Sequence, residues 1–172
     1  MNGGWQHETP ALSDWEQWLA GHSPALLLFA RQQARCEADA QDLVQEAVVE
    51  CWRRQAAGGP PPLPLVFATI RRRAVDLART QDRRARRELG ANLDAPQCWF
   101  DSAAEDRERD HLIQAAMQQM TPMYRDVITL KVWGGLTFAE IAEALAIPAN
   151  TAASRYRYGL AELRKLAHGV LA

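Results

Sequence analysis

Three sets of side chains in this 172-residue chain have the types and spacing to do chemistry, and in each case the chemistry is recognition. Asp39, Asp42, Gln45 and Glu46 fall within two helical turns, and positions 39, 42 and 46 share one face. An acidic, amide-bearing face suits an arginine-rich partner helix, although the same residues also suit a plain solvated helix start. Eight arginines (Arg71, Arg72, Arg73, Arg79, Arg83, Arg84, Arg86, Arg87) stand against Asp76 and Asp82, so residues 71–87 carry +6. Residues 1–50 hold eight acids and only two arginines, so a chain of net charge −1 separates its charge along its length. A cationic cluster of this kind attracts phosphate by Coulomb forces and counterion release. The alternative is a solvated arginine helix bridged to acids elsewhere. The third set is Asn150, Thr151, Ser154, Arg155, Arg157 and Tyr158. Small and polar residues at a helix start allow close approach to a nucleic-acid groove. Free amides and the helix dipole favour phosphate there, and arginines reach phosphates or guanine edges.

Other chemistries find little support. Cys36, Cys51 and Cys98 are odd in number and never two residues apart, which disfavours a disulfide framework or a zinc site. They read as reduced, partly buried thiols. His7, His22, His111 and His168 are scattered and read as surface residues. There is no glycine-rich phosphate loop, metal-ligand spacing or nucleophile–base pair, so the expectation is no enzyme, no metal and no cofactor. No apolar run approaches the roughly 18–20 residues of a membrane span. The first residues, Met1 to Trp5, lack the basic and apolar regions of a secretory signal, so a cytoplasmic protein without membrane insertion is expected.

The elements that must carry these residues read as helices. Ala, Leu, Arg, Gln and Glu dominate and alternating β-branched runs are missing, in a chain that is 48% hydrophobic and 24% charged. A first helix is expected from a Ser13–Glu16 capping box, broken at Gly21 to Pro24, with a second from Pro24 to Arg35. A third runs from about Asp39 to Gln55, with Leu43, Val44, Ala47, Val48, Cys51 and Trp52 on its apolar side, and ends at Gly58-Gly59-Pro60-Pro61-Pro62. A fourth spans about Leu65 to Glu88. Residues 89–105 read as a linker. Beyond it come helices from about Asp106 to Met120, Met123 to Trp133, Thr137 to Leu145, and from an Asn150 cap to about His168. Thr121-Pro122 starts the second of these, and a Thr137–Glu140 capping box starts the third. The stretch 137–165 has the grammar of a helix-turn-helix, although two capped helices with a short turn also occur in plain bundles.

Gly135-Leu136-Thr137-Phe138-Ala139-Glu140-Ile141-Ala142-Glu143-Ala144-Leu145-Ala146-Ile147-Pro148, continued by Thr151-Ala152-Ala153-Ser154-Arg155, resembles the helix-turn-helix of extracytoplasmic-function (ECF) sigma factors of the sigma-70 family. Pro122 to Val127 is similar to the helix before it. Upstream, Asp39 to Glu46 with Trp52-Arg53 resembles the family's polymerase-binding helix, and Phe67 to Arg79 its promoter-melting helix. The resemblance covers about residues 20–88 and 108–168. It implies an all-α chain of two small modules. A sigma domain 2-like bundle (12–88) would bind core polymerase and the −10 element, and a sigma domain 4-like helix-turn-helix (106–172) would bind the −35 element, joined by the linker 89–105. The implied partners are RNA polymerase core, through the clamp coiled coil of its largest subunit, and promoter DNA, with room for an anti-sigma factor. The implied contacts are Asp39, Asp42, Gln45 and Glu46 for core; Arg71, Arg72, Arg73, Arg79, Arg83 and Arg84 for the −10 strand; and Asn150, Thr151, Ser154, Arg155, Arg157 and Tyr158 for the −35 element.

The sequence departs from the family pattern in several places. Arg72 stands where an asparagine is usual, Leu65 where a tryptophan is common, and Gln41 where a glutamate is common. Ala153, Tyr158 and Leu160 replace basic residues, so the expectation is −35 binding that is either weak or rests on Arg155, Arg157, Tyr156 and Tyr158. Ala146 replaces a turn glycine, a costly exchange at positive φ. Trp99 and Phe100 in the linker are expected to pack on the modules. Two other functions compete: a stand-alone helix-turn-helix regulator, and a sigma mimic that sequesters an anti-sigma factor.

Overall fold

A computed structural model describes residues 11–55, 59–87, 98–100 and 107–170. Its described residues form seven helices and no strand: α1 (Ala11–Gln33), α2 (Glu37–Arg54), α3 (Leu63–Arg87), α4 (Arg107–Gln119), α5 (Pro122–Val132), α6 (Phe138–Leu145) and α7 (Ala149–Val170). The chain is all-α, with two helical modules, α1–α3 and α4–α7.

In the first module α1, α2 and α3 pack on one another around Leu26, Phe29, Leu43, Ala47, Cys51, Val66, Phe67 and Ile70, all buried. Phe29 and Phe67 meet edge to face at 5.4 Å. The expected break at Gly21–Pro24 does not occur, because α1 continues through Pro24. An internal proline costs roughly 3 kcal/mol. Ala25, Leu26, Leu28, Phe29 and Ala30 just beyond it are buried, and burial of the larger of these side chains at roughly 1.5–3 kcal/mol each outweighs that cost. Ser13 consequently lies inside α1 and is not its cap. At the start of α3, Pro64 sits in the first turn, where its missing N–H is tolerated, and the carbonyl of Pro62 accepts from the amides of Leu65 and Val66.

In the second module α5 is the central helix, packed on α6 and α7, while α4 packs on α7. Thr121 precedes α5 but makes no side-chain cap; its amide and hydroxyl donate to Glu162 of α7 instead. The Thr137–Glu140 capping box of α6 is present in both directions. At the other end of α6, Ala146 adopts φ 54°, ψ 50°, and the amides of Ala146 and Ile147 donate back to Glu143 and Ala142. This is a Schellman closure with alanine in the place that usually takes glycine. Helix α7 starts at Ala149, one residue before the expected Asn150 cap, with the Pro148 carbonyl accepting from Thr151 and Ala152. Gly159 lets α7 lie close on α5: a Cβ there would come within 3.1 Å of the Tyr124 Cβ.

The modules pack against each other. Helix α3 lies on α6 and α1 on α5, and one apolar cluster runs from Phe29 and Ile70 through to Val127, Leu130, Ile141 and Leu145. The expected packing of the linker aromatics is found. Trp99 is buried with Leu28 of α1 and with Met117, Met120 and Ile128, while Phe100 packs beside Trp133 at 5.7 Å.

Candidate nucleic-acid and partner interfaces

The acidic residues of α2 lie along α3, with Asp39, Asp42 and Glu46 lining one groove with Arg72 and Arg73. Asp39 and Glu46 turn toward α3: Asp39 accepts a hydrogen bond from Gln81 (2.7 Å), and Glu46 pairs with Arg73. Asp42 and Gln45 are exposed. Further along α2 stands Trp52, placed on the apolar side by sequence but in fact 52% exposed. Trp52 borders a shallow groove of about 300 Å³ lined by Trp15, Leu19, Val48 and Val49.

The cationic helix α3 is in part internally paired. Arg72 and Arg73 both bind Glu50 of α2, at 2.5 and 2.8 Å. Glu50, whose side chain is only 16% exposed, also pairs with Arg54 at 2.7 Å. Burial pushes its carboxyl pKa up, but the hydrogen bond from Arg73 and the charges of Arg72, Arg54 and Arg73 bring it below the ordinary glutamate value. Sequence reading passed over Glu50. Its signal was its place one turn beyond Glu46, on the same face. Arg71 faces the other module, donating to the carbonyl of Leu145 (3.3 Å) with its Nε 3.8 Å from Asp126. Arg79 and Arg83 are exposed on the outer part of α3; Arg79 lies 3.8 Å from Asp76, and Arg83 donates to the carbonyl of Arg79. The side chains of Arg84, Arg86 and Arg87 lie outside the described residues. The acidic and cationic helices are therefore not independent faces: their adjoining edges are zipped together, and α3 is left with an outer cationic end.

On α7, Asn150, Arg157 and Tyr158 are exposed, Thr151, Ser154 and Arg155 are half-buried, and Ala152 is fully buried against the core. Arg157 stacks over the Tyr158 ring at 5.1 Å. Tyr156 turns inward onto Phe138, at 5.7 Å between rings, and is not part of the outward face.

A further polar cluster, which sequence reading missed, lies between the modules. Gln33 donates to Asp126 (2.8 Å), and Thr129 donates to Gln32 (2.9 Å). Arg31 donates to the carbonyl of Trp99 (3.0 Å) and pairs with Glu37. The Arg125 guanidinium lies over the Trp99 ring at 5.4 Å. Asp126 is buried, and desolvation raises its pKa above the ordinary aspartate value. The Gln33 hydrogen bond and the charges of Arg125, Arg71 and Arg155 work in the opposite sense. The legible signal was a lone acid beside the apolar run Val127 to Leu130.

No cluster of metal-ligating residues occurs among the described residues, and no described helix is long and apolar enough to cross a membrane. Cys36, Cys51 and Cys98 are free thiols.

A three-helix bundle with a cationic helix, packed on a second module of four helices, defines a two-module all-helical class of protein. Comparison with known proteins narrows this class. Residues 19–84 match Sigma-70 region 2 and residues 110–163 match Sigma-70, region 4. The chain is 34% identical over 131 residues to the ECF RNA polymerase sigma factor SigK of Mycobacterium ulcerans (strain Agy99), covering 72% of this chain and 70% of that one. It is 30% identical over 153 residues to the RNA polymerase sigma-E factor of Streptomyces avermitilis, covering 88% and 84%. Among solved structures it is similar to the sigma factor RpoE in complex with the anti-sigma factor NepR from Bartonella quintana (TM-score 0.65, 20% identity, 90% of this chain and 96% of that one). It is also similar to CnrH in complex with the cytosolic domain of CnrY (TM-score 0.59, 21% identity, 90% and 88%). The chain belongs to the sigma-70 family of RNA polymerase sigma factors, in its ECF group. It is a promoter-directing transcription initiation factor.

Proposed function

We propose that residues 12–88 form the unit that docks on core polymerase and holds the −10 strand, that 106–172 form the −35 reader, and that 89–105 link them. The observation that carries this assignment is the exposure of Asp42, Gln45 and Trp52 on α2, alongside a cationic helix on the same bundle. An exposed tryptophan on a helix that also presents an acid and an amide is the composition of an interface hot spot. It suits an arginine-rich coiled coil such as the clamp helices of the polymerase largest subunit. Asp39 and Glu46 contribute less directly, by holding Gln81 and Arg73 in place. Arg79, Arg83 and Arg84, with Arg71, Arg72 and Arg73 once released from their internal partners, bind the phosphates of the opened −10 strand, where a row of cations is what holding single-stranded DNA requires. Asn150, Thr151, Ser154, Arg155, Arg157 and Tyr158 read or anchor the −35 duplex from the start of α7, the groove-entering end of a helix-turn-helix.

The chain performs no catalysis of its own. It works in the cytoplasm with the polymerase, needs no cofactor, and is held in check by an anti-sigma factor, as the solved relatives in complex with such factors suggest. The test of the docking face is core binding by fluorescence anisotropy with Asp42→Arg and Trp52→Ala. Each variant should keep its helical circular-dichroism signal and weaken core binding at least tenfold, about 1.4 kcal/mol. Wild-type affinity in both would remove α2 as the docking face.

A further inference from the structure

We propose that the solvent-facing side of α1 and α2 is a self-association surface, on which a second copy of this chain docks about a two-fold axis. Positions 42, 45, 49 and 52 of α2 follow steps of three and four, the spacing of a seam between paired helices. The seam has two unlike flanks. Toward α1, Val48, Val49 and Trp52 line the apolar groove with Trp15 and Leu19. Trp52 and Leu19 are exposed, so the fold leaves two large apolar side chains of this groove in water. Toward α3, Asp42 borders one groove with Arg72 and Arg73, and Arg53 borders another with Glu46 and Arg73. Asp42 and Arg53 are both exposed, and neither makes an ion pair or hydrogen bond among the described residues.

The order of charges along α2 selects the partner. All five acids of the helix lie at or before Glu50, and its two arginines, Arg53 and Arg54, end it. A two-fold axis perpendicular to α2 sets a second α2 antiparallel to the first. Such an axis turns the helix end for end without exchanging its flanks, so each flank meets its own copy. Apolar flank then lies on apolar flank, with Trp52 of each copy over Gln45 and Val48 of the other. On the charged flank, Asp42 of each copy comes within an arginine's reach of Arg53 of the other. A parallel pairing would instead set Asp42 beside Asp42 and the charged flank on the apolar one. Antiparallel self-pairing therefore satisfies both exposed charges and covers both exposed apolar side chains at once.

The size of the face sets the strength. Helix α2 has 18 residues. At about 1.5 Å per residue and with α1 about 10 Å beside it, the face offers roughly 500 Å² per copy. A total of about 1,000 Å² is the lower bound of a specific interface, so the dimer is weak and concentration-dependent, with a micromolar Kd. The pairing itself does not depend on the polymerase reading. On that reading it has a consequence: a second copy covers Asp42, Gln45 and Trp52, so self-association and core docking exclude one another.

The test is sedimentation velocity of the full chain without polymerase, from about 1 to about 100 μM. The wild type should pass from monomer to dimer across this range. Trp52→Ala should weaken self-association at least tenfold. Asp42→Arg and Arg53→Glu should each weaken it about tenfold, because either homodimer sets like charges together twice. An equimolar mixture of the two should regain wild-type affinity, since both cross-pairs of the mixed dimer are then of opposite charge. The double variant Asp42→Arg with Arg53→Glu should regain it with itself. Should a charge variant lose its helical signal, the wild-type series and Trp52→Ala decide. A wild type that stays monomeric at about 100 μM overturns the proposal. So does a dimer that survives Trp52→Ala unweakened, or a mixture no more associated than its components. Failure of the docking assignment is read separately, as core binding unaffected by Asp42→Arg and Trp52→Ala.

Discussion

Ala146 is a single residue whose conformation matters more than its side chain. Its φ of 54° closes α6 and aims α7, and an alanine there is strained where glycine is not. The substitution Ala146→Gly should raise stability by about 1 kcal/mol, read as a higher denaturant midpoint at unchanged m value. Unchanged stability would show that the turn carries no strain. The sequence announced this residue because the strain is local: a helix end followed by Ile147-Pro148 leaves few conformations. The Thr137–Glu140 box was legible for the same reason, its partners being three residues apart. The pairing of Arg73 with Glu46 and Glu50 was not, because it joins positions more than 20 residues apart on different helices. Gln32, Gln33 and Asp126 were missed likewise: their partners lie more than 90 residues away in the chain.

At the scale of elements, α2 and α3 form a charged zipper with Glu50 at its centre. This arrangement predicts two effects of Glu50→Gln. The first concerns DNA: loosening Arg72 and Arg73 should tighten binding of single-stranded DNA and steepen its salt dependence by about one unit of log–log slope. The second concerns pH. The folded-state pKa of Glu50 is depressed, so its pairing stabilises the fold above the unfolded-state value and that contribution disappears as pH falls through the folded-state value. Wild-type stability should therefore decline across the acidic carboxylate range, and the decline should be shallower in Glu50→Gln. An identical pH profile and DNA affinity in the two proteins would remove Glu50 from this role. Six of the seven helices among the described residues were legible from periodicity and caps, to within a few residues. The exception is α1, where the rule that proline breaks a helix lost to the burial of the residues that follow it. Trp52 was misplaced for a related reason: periodicity finds the apolar stripe but not its edge, and Trp52 lies beyond the edge, where it lines an open groove.

For the whole molecule, sequence patterns gave two modules and a linker but could not say that the modules rest on each other. That contact is made by residues which also suit surface helices, such as Gln32, Gln33 and Arg71, and by apolar side chains that each module could have kept to itself. The consequence is that Arg71, on the cationic helix of the first module, reaches the Leu145 carbonyl and Asp126 of the second. The promoter-directing role is the claim on which the residue assignments depend. Its most direct test is reconstituted transcription: core polymerase and this chain on a genomic DNA library, with RNA 5′ ends mapped. The account predicts start sites that need the chain and share two sequence elements, one for each module. A chain that binds core yet yields no start sites of its own would contradict it.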